Sequence, residues 1–256
     1  MFNLMTQAAL ARIKAGGGVD PWDLSSNTVA QYKCNDDAAS TTVTDEEGTN
    51  GTSSTNTSNL SVAGKINDAF DFTASSSEYV DMNQTLQATL RSAYNLSCWI
   101  KPDDGQPSAN QLIWGATEGS DDQIQFILRD TGIITLYHEA NNNAGNARTN
   151  SAVFADGATS WTHLSINVSA TIIDIYVNGS QVALDVAYPG DMTGVTMGDL
   201  TMSVNPYLGA RNLKGTGAVG FFDGPIDDFR IHDRVLTQTE IDGLYNSGSG
   251  TEAQSG

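Results

Sequence analysis

Cationic side chains are scarce: twelve Lys and Arg stand against thirty Asp and Glu, a formal net charge of -18 over 256 residues. A nucleic-acid-binding face needs clustered positive charge to displace counterions from phosphates, so that partner class is excluded. A polybasic membrane-surface protein is excluded on the same count. No stretch reaches the roughly 18 consecutive apolar residues of a membrane-spanning helix. Cysteine is nearly absent, with Cys34 and Cys98 alone. Neither sits in a C-x-x-C pair or at metal-ligand spacing from a His, which argues against zinc or redox chemistry. Both fall in strand-like runs, where a free thiol is a small apolar filler, a disulfide between them being the alternative. No positive charge precedes the apolar stretch Phe2–Leu10; Arg12 and Lys14 follow it, which is not the pattern of a secretory signal.

What is present is a composition of turns and short strands: Gly numbers 25, Ser, Thr and Asn abound, and 39% hydrophobic residues suffice for a core. Residues 1–18 hold two basic side chains and no acid. Phe2, Met5, Ala9 and Ile13 recur at three-to-four spacing, the mark of a short amphipathic helix, and Gly16–Gly18 end it as a hinge. This predicts an N-terminal helical arm over 1–18 that docks on a neighbouring subunit through Phe2, Met5 and Arg12, then a linker over 19–28.

From Val29 onward the dominant period is two. Tyr94, Leu96, Cys98 and Ile100 alternate with polar partners, as do Leu164, Ile166, Val168 and then Ile173, Ile175, Val177. Asn178-Gly179 between the last run and the next is a hairpin signal, since both residues tolerate positive φ. Many short strands separated by such turns read as an all-β antiparallel sandwich or barrel. Asp36–Ser61 is polar and is expected to be a decorated loop or a ragged sheet edge. Thr237-Gln238-Thr239-Glu240 is a capping box opening one short C-terminal helix, with Ile241, Leu244 and Tyr245 as its buried stripe and Gly248 as its C-cap. Residues 248–256 are expected to form a flexible tail.

The run Phe222-Asp223-Gly224-Pro225-Ile226-Asp227-Asp228-Phe229-Arg230-Ile231-His232, with Glu240-Ile241 and Leu244-Tyr245 after it, resembles the closing strand and helix of laminin-G-like, concanavalin A-like jelly rolls. Upstream, Gly64-Lys65-Ile66 through Phe72, Leu96-Ser97-Cys98-Trp99-Ile100-Lys101-Pro102, Trp161-Thr162-His163-Leu164 and Tyr176-Val177-Asn178-Gly179 resemble the family's other blocks, in order. Together they span about residues 29–247, the expected jelly-roll domain. The resemblance implies an antiparallel β-sandwich; function has to be argued from sites, because the fold hosts lectins, glycanases and adhesion modules.

It also implies calcium near the closing strand, with Asp45, Asn50 and Asp227 as candidate ligands; a hydrogen-bonded Asp227 without metal is the alternative. Period two puts Asp227 on the same strand face as Phe229 and Ile231. Arg230 is expected to lie across a sheet face, pairing with an acid. A glycosidase needs two carboxylates flanking the scissile bond, and no strand carries the E-x-D-x-x-E pattern of related glucanases. No nucleophile elbow, P-loop or H-E-x-x-H occurs either. The expectation is therefore a non-enzymatic, lectin-like binding or structural module, without nucleic-acid or membrane-spanning role. Its candidate glycan contacts are Trp114, His138, Asn141 and Asn142, in what read as exposed loops. By analogy with phage decoration and fibre proteins, the expected location is a virion surface. A secreted or cell-surface carbohydrate-binding adhesin, or a glycoside hydrolase of the same fold, is the alternative.

Overall fold

A computed structural model describes residues 22–119 and 121–255. The expected arm, with Phe2, Met5 and Arg12, lies outside the described residues. The long strands are β1 Thr28–Tyr32, β2 Asp68–Phe72, β3 Tyr94–Ile100, β4 Gln111–Thr117, β5 Gln123–Leu128, β6 Ile134–Ala140, β7 Asn143–Thr149, β8 Thr162–Val168, β9 Ile173–Val177, β10 Leu184–Pro189 and β11 Gly224–His232. They form two sheets. In one, the order of these strands is β9-β8-β3-β11-β2, with β1 also pairing β11. In the other it is β10-β7-β6-β5-β4, continued by the short strands Tyr207–Leu208, Val80–Asp81, Gly51–Ser53 and Thr42–Val43. Among the described residues pairing is antiparallel, except that Arg211–Leu213 runs parallel to β4 and Phe221 bridges Leu112 of β4 in parallel.

Alternation decides which side chains meet between the sheets. Leu96, Cys98 and Ile100 from β3, Ile166 from β8, Phe126 from β5 and Leu136 from β6 share one core with Phe229 and Ile231. At roughly 25 cal/mol per Å2 of apolar surface removed from water, such aliphatic and aromatic side chains contribute about 1.5–3 kcal/mol each. Both cysteines are buried and free, and burial pushes both thiols up, away from the reactive thiolate.

The outer faces of the two sheets differ. That of the first sheet is covered. The helix α1, Gln238–Tyr245, opens with the expected capping box: Thr237 accepts from the Glu240 amide, and Glu240 Oε2 accepts from the Thr237 amide at 2.8 Å. Its Ile241 and Leu244 pack with Leu24, Tyr176 and Leu236 in a second, smaller cluster, and Tyr245 stacks on Trp99 with ring centroids 5.7 Å apart. The helix ends at Asn246, whose φ of 46° supplies the left-handed cap expected of Gly248. The Asn178-Gly179 hairpin is as predicted, with φ of 48° and 78°; a Cβ on Gly179 would come within 2.9 Å of the Tyr245 ring.

Of the two loop expectations, the sheet-edge reading of Asp36–Ser61 holds and the loose tail is corrected. Asp36–Ser61 contributes the paired strands Thr42–Val43 and Gly51–Ser53, which extend the second sheet. Residues 249–255 are tied down instead of loose. The fully buried Arg230 pairs with Asp228 at 2.8 Å. It then donates through Nη2 to the Thr251 carbonyl at 2.6 Å and through Nη1 to the Ala253 carbonyl at 3.0 Å. Gln31 Nε2 donates to the Glu252 carbonyl at 3.0 Å, and Leu24 N to that of Gln254 at 2.7 Å. A guanidinium has donors that one carboxylate cannot satisfy, and tail carbonyls take the remainder.

Candidate functional site

The face of β11 that carries Asp227 is reset by a bulge. Asp227 pairs with Trp99 and Arg230 with Ser97, three residues spanning two, with Asp228 in the left-handed region at φ 46°. An extra residue reverses the alternation. Ile226, Phe229 and Ile231 therefore face the core, while Asp227 faces outward with Trp99 and Arg230. Beneath the turn leading into β2, Asp227 Oδ2 accepts from the amides of Lys65 at 2.7 Å and Ile66 at 2.8 Å. There Gly64 leaves no room for a Cβ, which would lie 2.4 Å from the Asp68 carbonyl. Oδ1 is buried with no partner. Burial, opposed by those amides and reinforced by Asp228 and Glu252, pushes the Asp227 carboxyl up to about 8.

The oxygens of the expected calcium ligands Asp45 and Asn50 are engaged by N–H groups. Asp45 Oδ1 accepts from the amides of Gln31 at 2.9 Å and Glu47 at 3.0 Å, and Oδ2 from Gln84. Asn50 Oδ1 accepts from the Asp45 amide at 3.1 Å. Lone pairs engaged by N–H groups are not offered to a cation, which wants six to eight oxygens. Among the described residues no three His, Cys, Asp or Glu side chains gather for a metal ion. A proton on Oδ1 would satisfy Asp227 without a metal.

Two of the four expected glycan contacts, Trp114 and His138, are corrected. Trp114 is fully buried, its indole N–H against Met82 Sδ at 3.0 Å and its ring 6.0 Å from that of Phe229. It lies within β4, on the inner side. His138 is equally buried on β6, with Nδ1 3.0 Å from the Tyr94 hydroxyl; burial brings its pKa down to about 4. Asn141 and Asn142 are exposed as expected, and with φ values of 50° and 63° they form the central pair of the β6–β7 hairpin turn, a position that favours Asn.

The same period-two rule that buries Trp114 and His138 presents their neighbours outward. On the outer face of the second sheet, Gln123, Gln125, Ile127 and Arg129 follow one another along β5 and just past its end. Together with Tyr137 of β6 and Asn146 of β7 they line a depression of about 200 Å3. Asn146 stands opposite Tyr137 in the ladder, and Tyr137 opposite Gln125. Gln125 donates to Gln123, and Gln123 Nε2 donates to Glu139 Oε2 at 2.5 Å. Burial, with Glu139 alongside, pushes the Tyr137 phenol up to about 12, so it remains a donor. Asn146 Oδ1 is buried without a partner. These are amide, phenol and guanidinium groups on paired strands, the equipment for orienting a hydroxylated ligand. The row escapes a sequence reading because β7, Asn-Ala-Gly-Asn-Ala-Arg-Thr, has no large apolar residue to mark it as a strand. Gly145 and Ala147 face inward instead, with Met192 packed against Gly145.

Comparisons with known proteins agree with this architecture. Domain 4 of AbnA, a GH43 extracellular arabinanase from Geobacillus stearothermophilus solved in complex with arabinotriose, superposes with a TM-score of 0.60 at 18% identity, covering 88% of this chain and 98% of that one. The binding domain of botulinum neurotoxin serotype D gives a TM-score of 0.63 at 15% identity, over 88% of this chain and 53% of the other. At such identities the likeness is one of fold. Among curated proteins, adhesion G-protein coupled receptor V1 of Danio rerio is 23% identical over 165 residues, 62% of this chain and 2% of the receptor's length. Among the described residues no helix is long and apolar enough to cross a membrane. The family model described as the concanavalin A-like lectin/glucanases superfamily matches residues 74–242, from the segment before β3 through most of α1. On that match and on its two-sheet jelly roll, the chain belongs to the concanavalin A-like lectin/glucanase superfamily.

Proposed function

We propose that this chain is a non-enzymatic glycan-binding module whose ligand lies along the β5 row on the outer face of the second sheet. The observation that carries the reading is the convergence there of Gln123, Gln125, Tyr137 and Asn146 on adjacent paired strands, with the Asn146 oxygen buried and unspent. The arabinotriose complex of a domain with the same fold supports a saccharide as the ligand class. A carboxylate pair is the requirement for glycoside hydrolysis, whereas the depression is lined by amides, a phenol, an aliphatic side chain and a guanidinium. That lining favours binding over turnover.

Titration of the full chain against a panel of neutral and acidic oligosaccharides, paired with a reducing-sugar assay, tests this. Tyr137→Ala and Asn146→Ala are expected to weaken binding about tenfold each, the worth of one well-placed buried hydrogen bond. Absence of binding to every saccharide, or release of reducing ends abolished by a single Glu or Asp change, overturns the reading.

The setting we propose is the surface of a larger assembly, a decoration or fibre component of a phage particle, with residues 1–18 docking on a neighbouring subunit through Phe2, Met5 and Arg12. Support comes from the apolar spacing of that segment, the glycines after it and the acidic body. Removal of residues 1–18 should leave a folded sandwich that no longer enters particles. A truncated chain that unfolds, or native protein found in culture fluid and not in purified particles, counts against it and favours the secreted adhesin.

A further inference from the structure

Two guanidinium groups stand together at one end of the β5 row, and no carboxylate lies within ion-pair distance of either among the described residues. Arg129 follows β5, and Arg148 belongs to β7; Thr135 of the intervening β6 pairs with Arg148 and accepts a hydrogen bond from Arg129 Nε at 3.1 Å. Arg148 lies over the Tyr188 ring at 3.6 Å, and its Nε is buried without a partner. In a chain with thirty acids, other cations find partners: Arg230 with Asp228, Arg234 with Glu240, Lys33 with Glu46. Asp130, next in the chain, is exposed in the turn.

Two like charges held side by side cost free energy, the more so when half-buried. Burial and the neighbouring Arg148 lower the pKa of Arg129, opposed in part by Asp130 and Tyr188. Such a pair is stabilised by an anion placed between the two forks, and stacking on Tyr188 together with the Thr135 contact fixes both stems in advance.

From this we propose that the Arg129–Arg148 end of the groove binds an anionic substituent, a carboxylate or a sulfate ester, so that the module prefers acidic saccharides over neutral ones. The proposal rests on the glycan-binding reading above and specifies its ligand class.

Calorimetric titration of the full chain with oligogalacturonate, sulfated dextran and unmodified dextran tests it, the two acidic probes telling carboxylate from sulfate. The expected result is at least about tenfold tighter binding of one acidic probe than of dextran, the worth of a charge-assisted pair. Arg129→Gln with Arg148→Gln is expected to erase that preference, bringing binding of the acidic probe down to the level of dextran. Arg148→Lys keeps the charge and loses the planar fork, and should weaken acidic binding severalfold even if the double variant does not fold. Equal binding of acidic and neutral probes, or an acidic preference that survives these substitutions, overturns the inference while glycan binding stands. Failure of all three probes and of the oligosaccharide panel removes the glycan-binding reading itself.

Discussion

A carboxyl group with one oxygen held by two amides and the other buried without a partner cannot carry its charge cheaply. Asp227 is in that position, and its pKa rises to about 8. Its folded value lies above the unfolded one, so its contribution is complete below the ordinary carboxylate range and is lost as pH climbs through about 8. Between pH 7 and 9 the melting temperature of the native chain is expected to fall. Asp227→Asn keeps an acceptor for Lys65 and Ile66, removes the titration, and should melt about 2–4 °C higher than the native chain at pH 9, as about 1 kcal/mol gives for a domain of this size. Parallel pH profiles of the two proteins contradict the protonated reading. A melting temperature lowered by chelator only in the native chain places a cation, not a proton, at Oδ1. The neighbouring Arg230 was readable as a paired side chain from its place in the strand; that its second set of partners is the chain's own tail was not.

Among the elements, β11 shows where pattern reading stops. Its burial was plain from Ile226, Phe229 and Ile231, yet the bulge at Asp228 reversed the side on which Asp227 lies. A bulge is specified by pairing with β3, which is remote in sequence, so local alternation extrapolates straight through it. The helix α1 was legible from its capping box because that device is complete within four residues. The tail was not, since its polar residues look solvated until a buried guanidinium reaches them. Removing residues 249–256 strips two carbonyls from Arg230 and is expected to cost about 2 kcal/mol, read as a lowered urea midpoint. An unchanged midpoint would mean that water replaces those contacts without loss.

Over the whole molecule, the two outer faces divide the work: one is closed by α1 and the tail, the other is left with a polar groove. The sandwich also carries its three histidines uncharged. Burial lowers His138 to about 4, and burial together with Arg230 lowers His163 and His232 to about 3. Their folded values lie below the unfolded value near 6.5, so their contribution is present above that pH and disappears as pH falls toward 3. Denaturant midpoints measured at pH 7, 5 and 4 are expected to decline in that order. A flat series would show that these rings are charged in the native state.

Alternation, turn residues and the capping box are local, and they are enough for an antiparallel sandwich or barrel, the hairpin at Asn178-Gly179, the closing helix and most of the core; the family resemblance narrows this to the sandwich. Which polar residues share a surface depends on strand register and on the one-residue shift of a bulge, and these are settled only when distant strands pair. That is why Trp114 and His138, which look like ligand contacts in the chain, are core. Gln125, Arg129, Tyr137 and Asn146 line one groove, with Arg148 beside its end, only in the folded sheet.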